Sequence, residues 1–287
     1  MPADPTLEKS TDGTQPPASA PAKRRYGKLR RMIHLIVWSI VLWLFIAYLL
    51  LPTLWKHYEH HPELAVAPRT TETVDHIPGD PLNVTLVGTK EEVIRAFLSA
   101  GWYPADPITL KSSLKIAETV LRGKQYDHAP VSNLFVFGRK QDLAFEKPDG
   151  NSPKKRQHVR FWLWEGHEED GRPVWLGAAT FDHSVGLSHY TGQITHHIAP
   201  DVDAERDRMM NDLADAGQLT SRSQVTGVGP TLYGRNGGGD RYYTDGEVDV
   251  GVLSANNAHV AEEPVPLENP PAVKLKNRVW SWIRPWL

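Results

Sequence analysis

Thr191-Gly-Gln-Ile-Thr-His-His-Ile-Ala-Pro-Asp-Val-Asp-Ala-Glu-Arg-Asp207 reads as a strand running to Ile198, a corner at Pro200 and a helix opening at Asp201. A helix start offers free backbone N–H groups and a positive dipole end, which suits an anion. The same dipole favours Asp201, Asp203 and Glu205 in a first turn without any ligand. In a strand, His196 shares a face with Ile194 and Ile198, as a core histidine would. His197 shares the other face with Gln193 and Thr195.

Working outward, strand-like runs precede this corner at 133–137, 143–145, 158–164, 174–181 and 192–198, and short strands follow near 224–228 and 247–253. Earlier still, Asn83-Val-Thr-Leu-Val87 alternates like a strand, and Thr89-Lys-Glu-Glu92 is a capping box. The helix it opens turns Val93, Ile94, Phe97 and Leu98 to one side and stops at Gly101. Ser112 or Ser113 caps a second helix, with Ile116, Ala117, Val120 and Leu121 inward. The corner helix runs to Ala216 and is closed by Gly217. Helices flanking a run of adjacent strands predict an α+β domain with a largely antiparallel sheet, over residues 80–256.

Outside that domain the chain changes character. Residues 1–31 hold a tail too poor in apolar side chains to fold, ending in a basic cluster from Lys23 to Arg31. Met32 to Leu51 is apolar except for His34 and Ser39, and twenty residues span roughly 30 Å as a helix. A transmembrane helix over residues 32–55 is therefore expected, with its basic side in the cytoplasm. That places the domain in the periplasm of a bacterium, on a single-pass inner-membrane anchor. Residues 56–79 form a polar connector carrying His57, His60 and His61. Residues 257–273 are a Pro-rich linker, and residues 274–287 a tail of basic and indole side chains that suits anionic lipid headgroups.

The whole chain has 287 residues, a net charge of −2 and no cysteine. Near-neutrality gives no field that would draw nucleic acid. Without cysteine there is no disulfide, thiolate zinc site or thiol nucleophile.

Asp106-Pro-Ile-Thr-Leu-Lys-Ser-Ser113, Ala129-Pro-Val-Ser132, Arg139-Lys-Gln-Asp-Leu-Ala-Phe-Glu146, His158-Val-Arg-Phe-Trp162, Gly177-Ala-Ala-Thr-Phe-Asp182 and Thr191–Asp207 form an ordered series that resembles the LssY C-terminal domain family, over roughly residues 80–217. The resemblance implies a setting rather than an activity. Relatives carry this domain behind one membrane segment, or fused to DedA-like and phosphatidic-acid-phosphatase-like membrane domains, near lipid phosphates. The family name comes from a locus associated with type I secretion, so envelope or export proteins are candidate partners.

Three sets of residues are candidates for chemistry. On the corner helix Arg206 lies with Val202, Met209, Met210 and Leu213 on the apolar stripe, where its charge must meet a carboxylate or a phosphate. Asp182 and Asp142 are the candidate partners. His197, Asp201 and Arg206 would be central to a hydrolase or transferase acting on a lipid-linked phosphate. His197, Asp201 and Asp203 would be the ligands if a metal sits across the corner, and the cofactor is otherwise open. The third set is Lys154, Lys155 and Arg156 in a loop, then His158, Arg160 and Trp162 alternating along a strand, with Asp182. Basic groups and indoles on one sheet face suit a phosphorylated headgroup or a sugar. A solvated loop above a second hydrophobic layer would use the same residues. Export-complex subunit is the remaining reading.

Overall fold

The computed structural model describes residues 23–58, 64, 66–105, 111, 133–150, 155–169, 171–190, 192, 194–226, 233–255 and 265–287. Two compact units emerge, Met1–His57 and Tyr58–Leu287. In the first, α1 (Lys23–Phe45) runs through a π-helical turn (Ile46–Leu50) into α2 (Leu51–Tyr58). The wide turn has a local cause: Leu51 N–H bonds Ile46 O just before Pro52, whose nitrogen carries no hydrogen. Gly27–Leu54 is 28 residues long, contains an 18-residue window with a mean hydropathy of 2.4, and is apolar enough to cross a membrane. Trp38, Trp43 and Tyr48 are exposed on it, whereas a soluble core helix would bury an apolar stripe.

The second unit is α+β. Its main sheet contains β3 (Val84–Val87), β4 (Tyr103–Pro104), β7 (Leu143–Pro148), β8 (Arg156–Glu169), β9 (Arg172–Leu187), β10 (Ile194–Ile198), β11 (Leu219–Thr226) and β14 (Glu247–Leu253). The order is β11-β14-β3-β9-β8-β7-β4, and β10 joins the far end of β9. All these pairings are antiparallel except β3 with β14. A smaller antiparallel sheet has the order β2-β1-β5-β6, from β1 (Thr70–Glu72), β2 (Pro78–Pro81), β5 (Phe135–Val136) and β6 (Arg139–Lys140). β12 (Tyr233–Arg235) and β13 (Arg241–Tyr243) form a hairpin.

Alternation along β8 sorts its side chains. Val159 and Phe161 enter the core beneath α3 (Lys90–Ser99) and α4 (Val202–Asp215), with Phe97, Phe145, Trp175, Met209, Met210 and Leu213. Trp162 and Trp164 enter a second core on the opposite face, with Leu134, Val136, Leu176 and Val250. Both helix starts are capped as their sequences dictate. Thr89 and Glu92 close a capping box on α3, and Asp201 accepts from Ala204 N–H at the head of α4.

Two features depart from the sequence reading, and one expected element is not tested. β8 and β9 extend to 14 and 16 residues, well past the apolar runs that marked them, because β8 pairs with β9 over Arg172–Asp182 and the rest of β9 pairs with β10. The helix expected after Ser112 or Ser113 lies outside the described residues. The C-terminal helix α5 (Pro271–Ile283) starts inside the stretch read as an extended linker, with proline at its first turn where no N–H is needed. Its polar side docks on the domain: Lys276 reaches Glu247, Asn277 bonds Gln224, and Arg284 just beyond it pairs with Asp201 at 2.7 Å.

Candidate functional site

Residues two apart on a strand share a face, so β8 presents Arg156, His158 and Arg160 in a row. The neighbouring strands supply their partners by register: Asp182 lies opposite Arg156, Thr180 opposite His158 on one side, and Glu146 opposite His158 on the other. Arg156 is clamped between Asp182 (3.0 Å) and Glu146 (2.8 Å), with His196 of β10 at 3.4 Å. Arg160 pairs with Asp80 at 3.2 Å. All three β8 residues are buried, so the carboxylates are needed to hold the two guanidinium charges.

His158 is oriented by what touches it. Its Nε2 lies 2.7 Å from an Nη of Arg160, which can only donate, so Nε2 accepts and the ring proton sits on Nδ1. Nδ1 is 3.1 Å from Asp182 Oδ1, close enough for an ion pair, yet neither atom makes an aligned hydrogen bond. We read this contact as electrostatic. Burial pushes the Asp182 carboxyl up, but His158 and Arg156 together outweigh it and hold the group well below the usual carboxylate range. The His196 imidazole is pushed down, chiefly by burial.

These groups open onto a cavity of about 430 Å³. Its other walls are the β1–β2 turn with Asp75, Asp80 of β2, Lys140 of β6, Thr195 and Ile198 beside His196, and the loop Asn236-Gly237-Gly238. Asn236 donates to Asp80 at 3.4 Å, tying that loop to the β8 row. Among the described lining residues the formal charges cancel: Lys140, Arg156 and Arg160 face Asp75, Asp80 and Asp182. Thr180, His158 and Asp182 have the connectivity of a nucleophile, base and acid, with Thr180 Oγ1 2.9 Å from Nε2. Thr180 is fully buried and is not among the described lining residues, so its hydroxyl does not face the cavity.

Of the residues singled out in the sequence, Arg156, His158, Arg160 and Asp182 come together at this cavity. Lys155 is exposed and does not line it, and Lys154 lies outside the described residues. Trp162 is buried in the second core, its indole N–H donating to Arg139 O. His197, Asp201, Asp203 and Arg206 are drawn into networks apart from this cavity, with Asp203 and Arg206 sharing one. His197 bonds Asp240 at 2.6 Å, while Asp201 is held by Arg284 at 2.7 and 2.8 Å.

Arg206 is fully buried, and its partners are not Asp182 or Asp142. Asp142 belongs to Arg139. Instead Arg206 meets Asp245 (2.8 Å), Asp207 (2.8 Å), Asp249 (3.2 Å) and Asp203 (3.4 Å), and donates to Glu247 O. Burial pushes the Asp203 carboxyl up to about 6 against the pull of Arg206, whereas at Asp245 burial is outweighed by Arg206, with Lys276 and the Glu247 N–H, and the group is held low. This network fastens α4 to β14 rather than facing the β8 cavity.

Sequence reasoning missed Asp80, Lys140, His196 and the glycine loop. The run Asn236-Gly-Gly-Gly-Asp240 was the available signal, since a glycine cluster between polar residues marks a close backbone approach. No curated protein and no solved structure matches the chain. The family model of the LssY C-terminus matches residues 64–248, which takes in the small sheet, the main sheet up to the start of β14, and both helices α3 and α4, and extends past the motifs that suggested it; the chain belongs to that family.

Proposed function

We propose that this membrane-anchored protein binds a polar, headgroup-sized ligand in the β8 cavity, on the periplasmic side of a bacterial inner membrane. One observation carries the ligand reading: two arginines, locked in place by buried carboxylates, converge with two histidines on a single cavity. Groups fixed before binding lose little freedom on binding. About 430 Å³ falls within the range of small-molecule sites. The cancelling charges argue against a polyanion. They suit hydroxyl groups and a single phosphate, as in a glycerophosphate or sugar-phosphate headgroup. Guanidinium–carboxylate pairs offer both donors and acceptors to such a ligand.

Orientation rests on charge bias, with Lys23, Arg24, Arg25, Lys28, Arg30 and Arg31 before the apolar run. A phosphatase reporter fused after Leu253 should be active; an inactive reporter reverses the topology. For the ligand, the full chain in detergent is titrated with glycerol 1-phosphate by calorimetry, with glycerol as the uncharged control. Saturable binding of the phosphate, weakened several-fold by the exposed-site variant Lys140→Ala, is expected. Absence of saturable heat up to millimolar probe sinks the reading. Release of inorganic phosphate from the probe would move the protein to the hydrolase class.

A further inference from the structure

A second cluster stands beside the cavity and takes no part in its ion pairs. His189 follows the end of β9, His197 is on β10, and Asp240 closes the glycine loop. Their donor atoms all lie within 4.8 Å of one another. We infer that His189, His197 and Asp240 form a binding site for a divalent first-row transition metal, with Zn²⁺ the ion this donor set suits. Two imidazoles and one carboxylate are the ligand types of open, three-residue metal sites.

Several independent contacts aim these donors inward. Asp240 Oδ1 is 2.6 Å from His197 Nδ1 and 3.8 Å from His189 Nε2, so one carboxylate oxygen faces both rings. The other oxygen is held from behind, accepting from Ile198 N–H at 3.1 Å and Asn236 Nδ2 at 3.5 Å. Such outer contacts orient metal-binding carboxylates and raise affinity. Asn236 Oδ1 in turn accepts from the N–H groups of Gly238 and Asp240, and His189 N–H bonds Gly238 O at 2.8 Å.

Glycine makes the approach possible at both histidines. A Cβ on Gly186 would sit 2.5 Å from His197 Nε2, and one on Gly239, whose φ is +89°, would sit 2.6 Å from His189 Cβ. The contact of the His197 ring with Gly186 leaves Nδ1 as the donor directed at the site. Around a tetrahedral zinc, donors at 2.0–2.2 Å stand roughly 3.3 Å apart. His197 and Asp240 would therefore separate by under about 1 Å once an ion replaces the proton between them. The His189 side chain is 63% exposed and free to close in.

Three protein donors leave a fourth position for water or a ligand oxygen. The loop that carries Asp240 also supplies Asn236, Gly237 and Gly238 to the cavity wall. The inference stands apart from the headgroup reading, because an ion can bind whether or not the cavity takes a phosphate.

The test uses the metal alone. The full chain, free of any polyhistidine tag and stripped with chelator, is titrated with Co²⁺ and followed by visible absorption. One equivalent should bind with ligand-field bands, and Zn²⁺ should displace it. His189→Ala should leave the melting temperature unchanged and weaken Co²⁺ at least tenfold. In His189→Cys a thiolate would replace the imidazole, so a sulfur-to-cobalt charge-transfer band should appear. That band reports direct ligation, which a purely structural role cannot mimic. The inference is overturned if the chain shows no saturable Co²⁺ signal, or if His189→Ala binds as tightly as the parent and His189→Cys shows no such band.

Discussion

Arg206→Met is the substitution whose consequence the structure fixes most tightly. Methionine keeps much of the length and apolar stem of arginine and removes the charge. The side chain left behind would sit among Asp203, Asp207, Asp245 and Asp249. Asp249 keeps Arg222 at 2.9 Å, and Asp207 keeps Arg284 at 3.6 Å. Asp203 and Asp245 lose the guanidinium that now binds them within the protein. Removing one partner of a buried ion pair costs about 3–5 kcal/mol, because the other is left desolvated and uncompensated. For a folded unit of 230 residues, Tyr58–Leu287, that is a fall in melting temperature of about 6–20 °C. Protons can substitute for the missing charge. Asp203, already at about 6 with Arg206 present, takes up a proton more readily without it, so the loss should be smaller at pH 5.5 than at pH 8. The assay is thermal unfolding of the full chain in detergent, followed by tryptophan fluorescence at both pH values. A variant within about 2 °C of the parent at pH 8 would refute the reasoning, as would equal losses at the two pH values.

Two further outcomes follow from other parts of the fold. Burial pushes the Glu205 carboxyl up to about 9 from an ordinary 4.5, so the folded chain holds a proton there that the unfolded chain releases. Stability from this group is full below pH 4.5 and is lost as pH rises toward 9, at up to about 1.4 kcal/mol per pH unit. Glu205→Gln should flatten that slope in urea unfolding, and a slope unchanged by the substitution contradicts the assignment. On α5 the polar side is docked while Trp282 and, just past the helix, Trp286 stand 74% and 84% exposed, next to Leu275, Val279 and Leu287. With Lys274 and Arg278 on the same helix, this surface suits anionic headgroups. Trp282→Ser with Trp286→Ser should remove the blue shift in tryptophan emission that anionic vesicles induce, and leave the melting temperature intact. An unaltered blue shift assigns the contact elsewhere.

What could be read from the sequence was local. The capping box at Thr89 and Glu92, the helix start at the Pro200–Asp201 corner and the two-residue alternation along β8 each depend on neighbours within a few positions, and the structure carries all three. Alternation correctly put His158, Arg160 and Trp162 on one side of β8, but it says nothing of what covers a face. Trp162 meets the small sheet and is sealed, whereas Arg156 and His158, further back along the same face, meet the cavity. The same gap explains His196. It does share a face with Ile198, yet that face is a cavity wall instead of a closed core.

Ion pairing was illegible for a different reason. A charge finds partners through strand order, and here β14 pairs in parallel with β3 although some 160 residues lie between them. That pairing puts Asp249 next to the α4 helix, and with it Asp245 and the Glu247 carbonyl, about forty positions from Arg206. Asp182, the nearer guess, was already engaged across the sheet by Arg156 and His158. A buried arginine on an apolar helix stripe thus announced a partner without naming it. The glycine run before Asp240 worked the other way: it named a close backbone approach, and only the fold could say that the approach brings a carboxylate to two histidines.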